Sequence, residues 1–175
     1  MAHLVVYGTV EGHTHKIASK VAELIKARGQ AVEVIDASAR TSDVAVSDAQ
    51  SCIVAAPVHQ KRHPDSVVDF VRAHLDHLNE LPSAFVSVSL AAAFPDGASD
   101  ARNFADRLMQ RTGWTPAAVH LAAGAVRCSE YDYFTEQILR HVVLKDHDDI
   151  DVSGEQVFTD WPALERFVGD FLATT

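Results

Sequence analysis

Cysteine is nearly missing from this chain: 175 residues hold only two, Cys52 inside an apolar run and Cys128 far along the sequence. They make no Cys-x-x-Cys pair and no spaced framework, which argues against a redox dithiol or a disulfide-stapled fold and leaves both as expected free thiols. Basic residues are also scarce. Fifteen lysines and arginines face 24 aspartates and glutamates, for a formal charge of −9 and a pI near 5.5. Binding along a nucleic-acid backbone needs a clustered basic face, so nucleic acid is not an expected partner. Attraction to anionic lipid is weakened in the same way, and any association with the inner membrane would be peripheral, through a local patch. No apolar run approaches the ~18 residues of a membrane span, and the first residues enter a strand without a charged leader and cleavage site. The expectation is a cytoplasmic chain.

What is present is enough apolar material for one sizeable core: 47% of residues are hydrophobic in a chain of 19.0 kDa, read as a single domain over residues 1–175. The pattern is organised around Gly8-Thr9-Val10-Glu11-Gly12-His13-Thr14. Leu4 to Tyr7, just before it, reads as a buried strand, and Ile17, Ala18, Val21, Leu24 and Ile25, just after it, share one face of a helix. A short polar loop between strand and helix directs backbone N–H groups at one spot, and a helix start suits a phosphate. The loop ends in Gly12-His13-Thr14, without the Gly-Lys-Ser/Thr of a triphosphate loop, and has two glycines where a dinucleotide fingerprint needs three. Hydroxyls at Thr9 and Thr14 with N–H groups from Val10 to Thr14 suit a monophosphate.

Further apolar runs predict strands at Val32 to Ala37, Cys52 to Ala56, Ala84 to Leu90 and Val119 to Val126. Helical stripes fall on Val67, Val68, Val71, Leu75 and Leu78, on Ala101, Phe104, Ala105 and Leu108, and on Leu164, Phe167, Val168, Phe171 and Leu172. Continuous apolar strands alternating with helices indicate a parallel sheet covered on both faces, which binds ligands at the carboxyl ends of its strands.

The phosphate loop resembles that of flavodoxins. More specifically, Gly8 to Thr14, Leu81-Pro82-Ser83-Ala84-Phe85-x-Ser87-Val88, Ala123-Gly124-Ala125-x-Arg127 and Thr159-Asp160-Trp161 are similar, in the same order, to segments of the flavodoxin-like, menaquinone-dependent protoporphyrinogen dehydrogenases of bacteria. The resemblance covers nearly the whole chain. It implies an α/β, doubly wound, five-stranded parallel sheet of order 2-1-3-4-5, with a long insertion near the fifth strand at about 127–154. It implies FMN as cofactor, held by Thr9, Val10, Glu11, Gly12, His13 and Thr14 at the phosphate. Pro57, Val58, His59, Ser89, Leu90, Ala91, Ala92, Ala93, Gly124 and Ala125 would then lie at the ring. The implied activity is oxidation of a small-molecule substrate, protoporphyrinogen in the resembling enzymes, with electrons leaving to a quinone or a redox-partner protein. No catalytic acid or base is assigned, because in a flavoprotein the flavin carries the redox chemistry.

Several features are weighed beside this reading. Glu11 places a carboxylate in a loop meant for a dianion, where unit charges 4 Å apart would oppose binding by ~4 kcal/mol, so it is expected to point outward or cap the helix. His59-x-x-x-His63, with His13 and His15, lies in a loop with no cysteine or carboxylate motif to complete a tetrahedral set; it is expected to be solvated, with no metal. The segment from His59 to His63 is the densest basic run, and Lys61 and Arg62 are candidates for substrate carboxylates. Arg127, Tyr131, Tyr133 and Phe134, at the start of the insertion, are candidates for a tetrapyrrole or quinone, the alternative being a homo-oligomer or partner interface. Two rival functions remain. The acidic charge suits an electron-carrier flavodoxin docking on basic partners, and a flavin-free interaction protein on the same fold is the other.

Overall fold

The computed structural model describes residues 1–10, 12–39, 44–127 and 155–175. Its elements in order are β1 (His3–Tyr7), α1 (His13–Lys26), β2 (Val32–Asp36), β3 (Ser51–Pro57), α2 (Asp65–Ala73), α3 (Leu75–Glu80), β4 (Ser83–Ser89), α4 (Ala98–Thr112), β5 (Ala118–Ala123), β6 (Ala125–Arg127), β7 (Glu155–Val157) and α5 (Trp161–Leu172). Five strands form one sheet of order β2-β1-β3-β4-β5, every pair parallel, as the flavodoxin resemblance implies. The remaining two, β6 and β7, pair antiparallel as a small separate ribbon.

Side chains alternate across the central strands because successive residues of a strand point to opposite faces. Leu4, Val6, Cys52, Val54, Ala56 and Phe85 pack on one face beneath α2, α3 and α4, with Trp114. Val5, Ile53, Ala55, Ala84, Val86 and Val88 pack on the other with α1 and α5. Both faces of β3 and β4 are therefore buried, which is why no charged residue interrupts either segment and the only polar side chains in them are small serines and Cys52. At the edge, β2 is half exposed. Cys52 is buried, and burial pushes its thiol up to about 12, so the sulfur stays protonated and unreactive. Ser83, polar inside a buried strand, is satisfied on both sides: its hydroxyl donates to Leu78 O at 2.7 Å and accepts from Trp114 Nε1 at 3.0 Å.

Two expectations need correction. The stripe from Val67 to Leu78 is not one helix: the chain leaves helical geometry at His74 (φ −117°, ψ 20°), where the imidazole packs on Phe70 at 4.7 Å, and restarts as α3. Nor does the fifth strand run through Val126. It breaks at Gly124, whose N–H turns back to Ser89 O at 3.2 Å, so Ala125 to Arg127 leaves the sheet and pairs with Glu155 to Val157. A glycine inside a strand pattern is the usual mark of such a break. Among the described residues no helix is long and apolar enough to cross a membrane.

Candidate functional site

The carboxyl ends of β1, β3, β4 and β5 share one rim. Tyr7 is level with Ala55 and Gly8 N–H donates to Ala55 O at 3.0 Å, so the loops after β1 and β3 leave side by side. Sheet order reverses here: β2 lies to one side of β1 and every later strand of the sheet to the other, the position where open α/β sheets bind ligands.

The first loop is built as an anion cradle. Gly12 closes it in the left-handed region at φ 88°, and among the described residues a Cβ there would meet nothing within 4 Å, so on their side the space before it is open. Thr9 Oγ1 accepts the Gly12 N–H at 2.7 Å, which commits that N–H and leaves the Thr9 hydroxyl proton to donate outward. Helix α1 begins at His13 with no capping side chain among the described residues, so its first-turn N–H groups face the opening, and Thr14 is buried beside them. Donors without a cation suit a phosphate monoester. Gly8 has another task, because a Cβ on it would come within 2.5 Å of Val67 Cγ2: it lets α2 lie directly under the loop.

The second loop runs from Pro57 to His63. His59 and Arg62 exchange two backbone hydrogen bonds, at 2.9 and 3.2 Å, around a two-residue tip in which Gln60 and Lys61 are both left-handed (φ 50° and 63°). Its tip is exposed, and among the described residues Lys61 and Arg62 make no ion pair. Sequence reasoning placed His59 and His63 together in solvent; His59 is exposed, but His63 is 3% exposed. Its Nδ1 lies 3.0 Å from Pro57 O, its Nε2 3.3 Å from Ser87 Oγ, and Phe85 meets its ring edge-on at 5.3 Å. Burial pushes this imidazole down to about 4, partly offset by its bonds to backbone carbonyls.

The third wall comes from the loop after β4 and the chain following β7. Ser89 Oγ accepts Ala92 N–H at 3.3 Å, and Leu90 to Ala93 turns in a tight coil. Phe94 packs on Phe158 at 5.6 Å, while Phe158 N–H donates to Gly124 O at 3.0 Å. Thr159 donates its single hydroxyl proton to Ala123 O at 2.7 Å; His13 Nε2, 2.8 Å from the same oxygen, must then be the donor to it. With Lys16 paired to Glu155 at 3.2 Å, this ties the start of α1 to β7. These long-range contacts among His13, Thr159, His63 and Ser87 were missed by sequence reasoning. A serine at 87, within an otherwise apolar strand, was the one local signal that something polar would be buried beside it.

The predicted site residues Thr9, Val10, Gly12, His13, Thr14, Pro57, Val58, His59, Ser89, Leu90, Ala91, Ala92, Ala93, Gly124 and Ala125 all lie on this rim or at its strand ends. Lys61 and Arg62 stand at its hairpin tip and Arg127 ends β6 opposite Glu155. Glu11, Tyr131, Tyr133 and Phe134 lie outside the described residues, as does the body of the insertion. Among the described residues no cluster of three or more His, Cys, Asp or Glu is placed to hold a metal ion.

A sequence profile described as Flavodoxin domain matches residues 4–153. Over 97% of its length the chain is 27% identical to a protoporphyrinogen IX dehydrogenase [quinone] of Leishmania major, covering 74% of that protein. It is 26% identical to the protein of the same name from Escherichia coli (strain K12), spanning 100% of this chain and 97% of that one. Oxidised flavodoxin 1 from Bacillus cereus superposes with a TM-score of 0.60 over 100% of this chain and 99% of that chain, at 15% identity, a likeness of fold alone.

Proposed function

The chain belongs to the flavodoxin-domain family, and from that premise we propose that it binds FMN and oxidises a porphyrinogen-like substrate, passing the electrons to a quinone. The observation that carries the reading is the exposed pair Lys61 and Arg62 on the turn beside the anion cradle, in a protein of net charge −9. A general electron carrier with acidic docking charge has no need of a cationic rim next to its cofactor; a substrate bearing carboxylates does.

The residues fit the cofactor at its phosphate end, where Thr9 and the first-turn N–H groups of α1 would hold the monoester and the open space before Gly12 would admit it. Bound FMN would supply the two-electron redox chemistry. The turns Pro57 to His63 and Ser89 to Ala93 flank the space a ring would take, and Gly124, with its carbonyl fixed by Phe158, closes the end of β5. Phe94, directly after the second of these turns, is packed on Phe158. Lys61 and Arg62 would receive substrate carboxylates at the mouth. The quinone, the substrate entrance at Arg127, Tyr131, Tyr133 and Phe134, and a peripheral contact with the inner membrane belong to the same proposal.

Purified protein is expected to carry stoichiometric flavin by absorbance and, without oxygen, to convert protoporphyrinogen IX to protoporphyrin only when menaquinone is supplied. Flavin reducible by a carrier reductase, together with no porphyrinogen turnover, would replace this reading with the electron-carrier one.

A further inference from the structure

His63 is a buried polar side chain that the redox chemistry does not use. A carbonyl oxygen only accepts, so the bond to Pro57 O puts the proton on Nδ1; the neutral ring then leaves Nε2 as acceptor for the Ser87 hydroxyl. Burial favours that uncharged form. One side chain thus ties both ends of a seven-residue turn, Pro57 to His63, and fastens the turn to β4 through Ser87.

The turn needs such a fastening. Two consecutive left-handed residues around a narrow pair make a hairpin tip of the kind that favours Asn and Gly, and here the positions hold Gln60 and Lys61, whose Cβ atoms disfavour it. An unfavourable tip persists only where its surroundings determine it. Val58 N–H, donating to Val88 O at 2.7 Å, anchors the entry, and His63 anchors the exit.

We propose that His63 is a positioning residue: by locking the Pro57 to His63 turn it stands Lys61 and Arg62 at the rim, where they receive the carboxylates of an anionic tetrapyrrole. The inference rests on the proposed function for its substrate class and on the geometry alone for the lock.

The test uses the full chain loaded with FMN, as wild type, His63→Phe, His63→Asn, Gln60→Asn and the double variant His63→Phe/Gln60→Asn, with a Lys61→Ala/Arg62→Ala control. Phenylalanine fills the buried volume but makes neither hydrogen bond, whereas asparagine can keep the donor to Pro57 O. Amide exchange at His59 and Arg62 should quicken about tenfold or more in His63→Phe. It should slow again in His63→Asn and in the double variant, because Asn at 60 relieves the left-handed tip. Protoporphyrin IX binding, followed by fluorescence, should weaken about tenfold in His63→Phe, close to the loss in the Lys61/Arg62 control. FMN affinity should fall less than porphyrin affinity does, because the cradle at Thr9 to Thr14 still holds the phosphate, and where turnover is measurable KM should rise by a larger factor than kcat falls. Unchanged exchange and porphyrin affinity in a folded His63→Phe would overturn the proposal. So would a loss that neither His63→Asn nor the added Gln60→Asn restores, which would make His63 a plain core residue. Wild-type protein that binds protoporphyrin but never oxidises porphyrinogen would defeat the proposed function and leave the His63 lock standing; wild type that binds no porphyrin would remove its substrate class.

Discussion

Two turns on one rim solve the same backbone problem with different means. The loop after β1 reaches the left-handed region at Gly12, where no Cβ opposes it and the space in front stays open. The turn after β3 reaches the same region twice, at Gln60 and Lys61, and is held there by a buried imidazole. A glycine leaves room for a ligand to approach the backbone; a side-chain lock lets the tip carry charge. The difference fits the tasks proposed for them, one to receive a phosphate against the main chain, the other to offer cations at a distance from it.

The largest expected effect breaks the first turn. Gly12→Val puts a branched side chain into the open space and into a backbone region that costs it ~1–2 kcal/mol. FMN affinity should fall by about 100-fold or more, equivalent to about 3 kcal/mol. A flavin titration of the apoprotein checks this, and retained stoichiometric FMN would show that the phosphate lies elsewhere.

The next prediction sharpens the second turn through pH. The folded His63 imidazole, at about 4, lies below its ordinary 6.5, so the unfolded chain takes up the proton first. Stability from this residue is full above pH 6.5 and drains as pH falls toward 4, by on the order of 3 kcal/mol in all. The groups packed on the ring, Pro57, Ser87 and Phe85, do not titrate in that window. Urea unfolding at pH 7.5 and 4.5 should therefore show a steeper acid loss in wild type than in His63→Phe; His3 and His120, also held low by burial, act equally in both proteins. Equal losses would mean the imidazole is charged or exposed.

The smallest effect separates packing from binding within the first loop. Gly8→Ala drives a methyl against Val67, 2.5 Å away, and should cost about 1–3 kcal/mol of stability by overpacking. FMN affinity should be unaltered, since Gly8 faces α2 and not the cradle. Denaturant midpoints and a flavin titration on the same variant decide it; lost flavin with unchanged stability would reverse the assignment.

The sheet was legible because β1, β3 and β4 are buried on both faces and so are written as largely apolar runs, broken in β4 only by small serines, and the turn at Gly12 could be read because it is local, seven residues between one strand and one helix. What stayed hidden was made by contacts across the chain. His63 reads as one more polar loop residue until β4 brings Ser87 and Phe85 against it, and His13 reads as a loop residue until Thr159, 146 positions later, meets its ring. The breaks at His74 and Gly124 were blurred for the opposite reason: apolar periodicity continues through both while the backbone does not.

The joining of α1 to α5 also bears on how the chain is made. Ile17, Val21 and Ile25 share one core with Leu164, Val168 and Phe171, and Lys20 reaches Glu165 at 2.8 Å, so this face of the sheet closes only when the last helix arrives. On a ribosome, the second helix-covered face, beneath α2 and α4, can assemble while the first still shows its apolar stripe. A chain cut short before Trp161 would leave that stripe uncovered on an otherwise complete sheet, a surface suited to capture by chaperones or by another copy of itself.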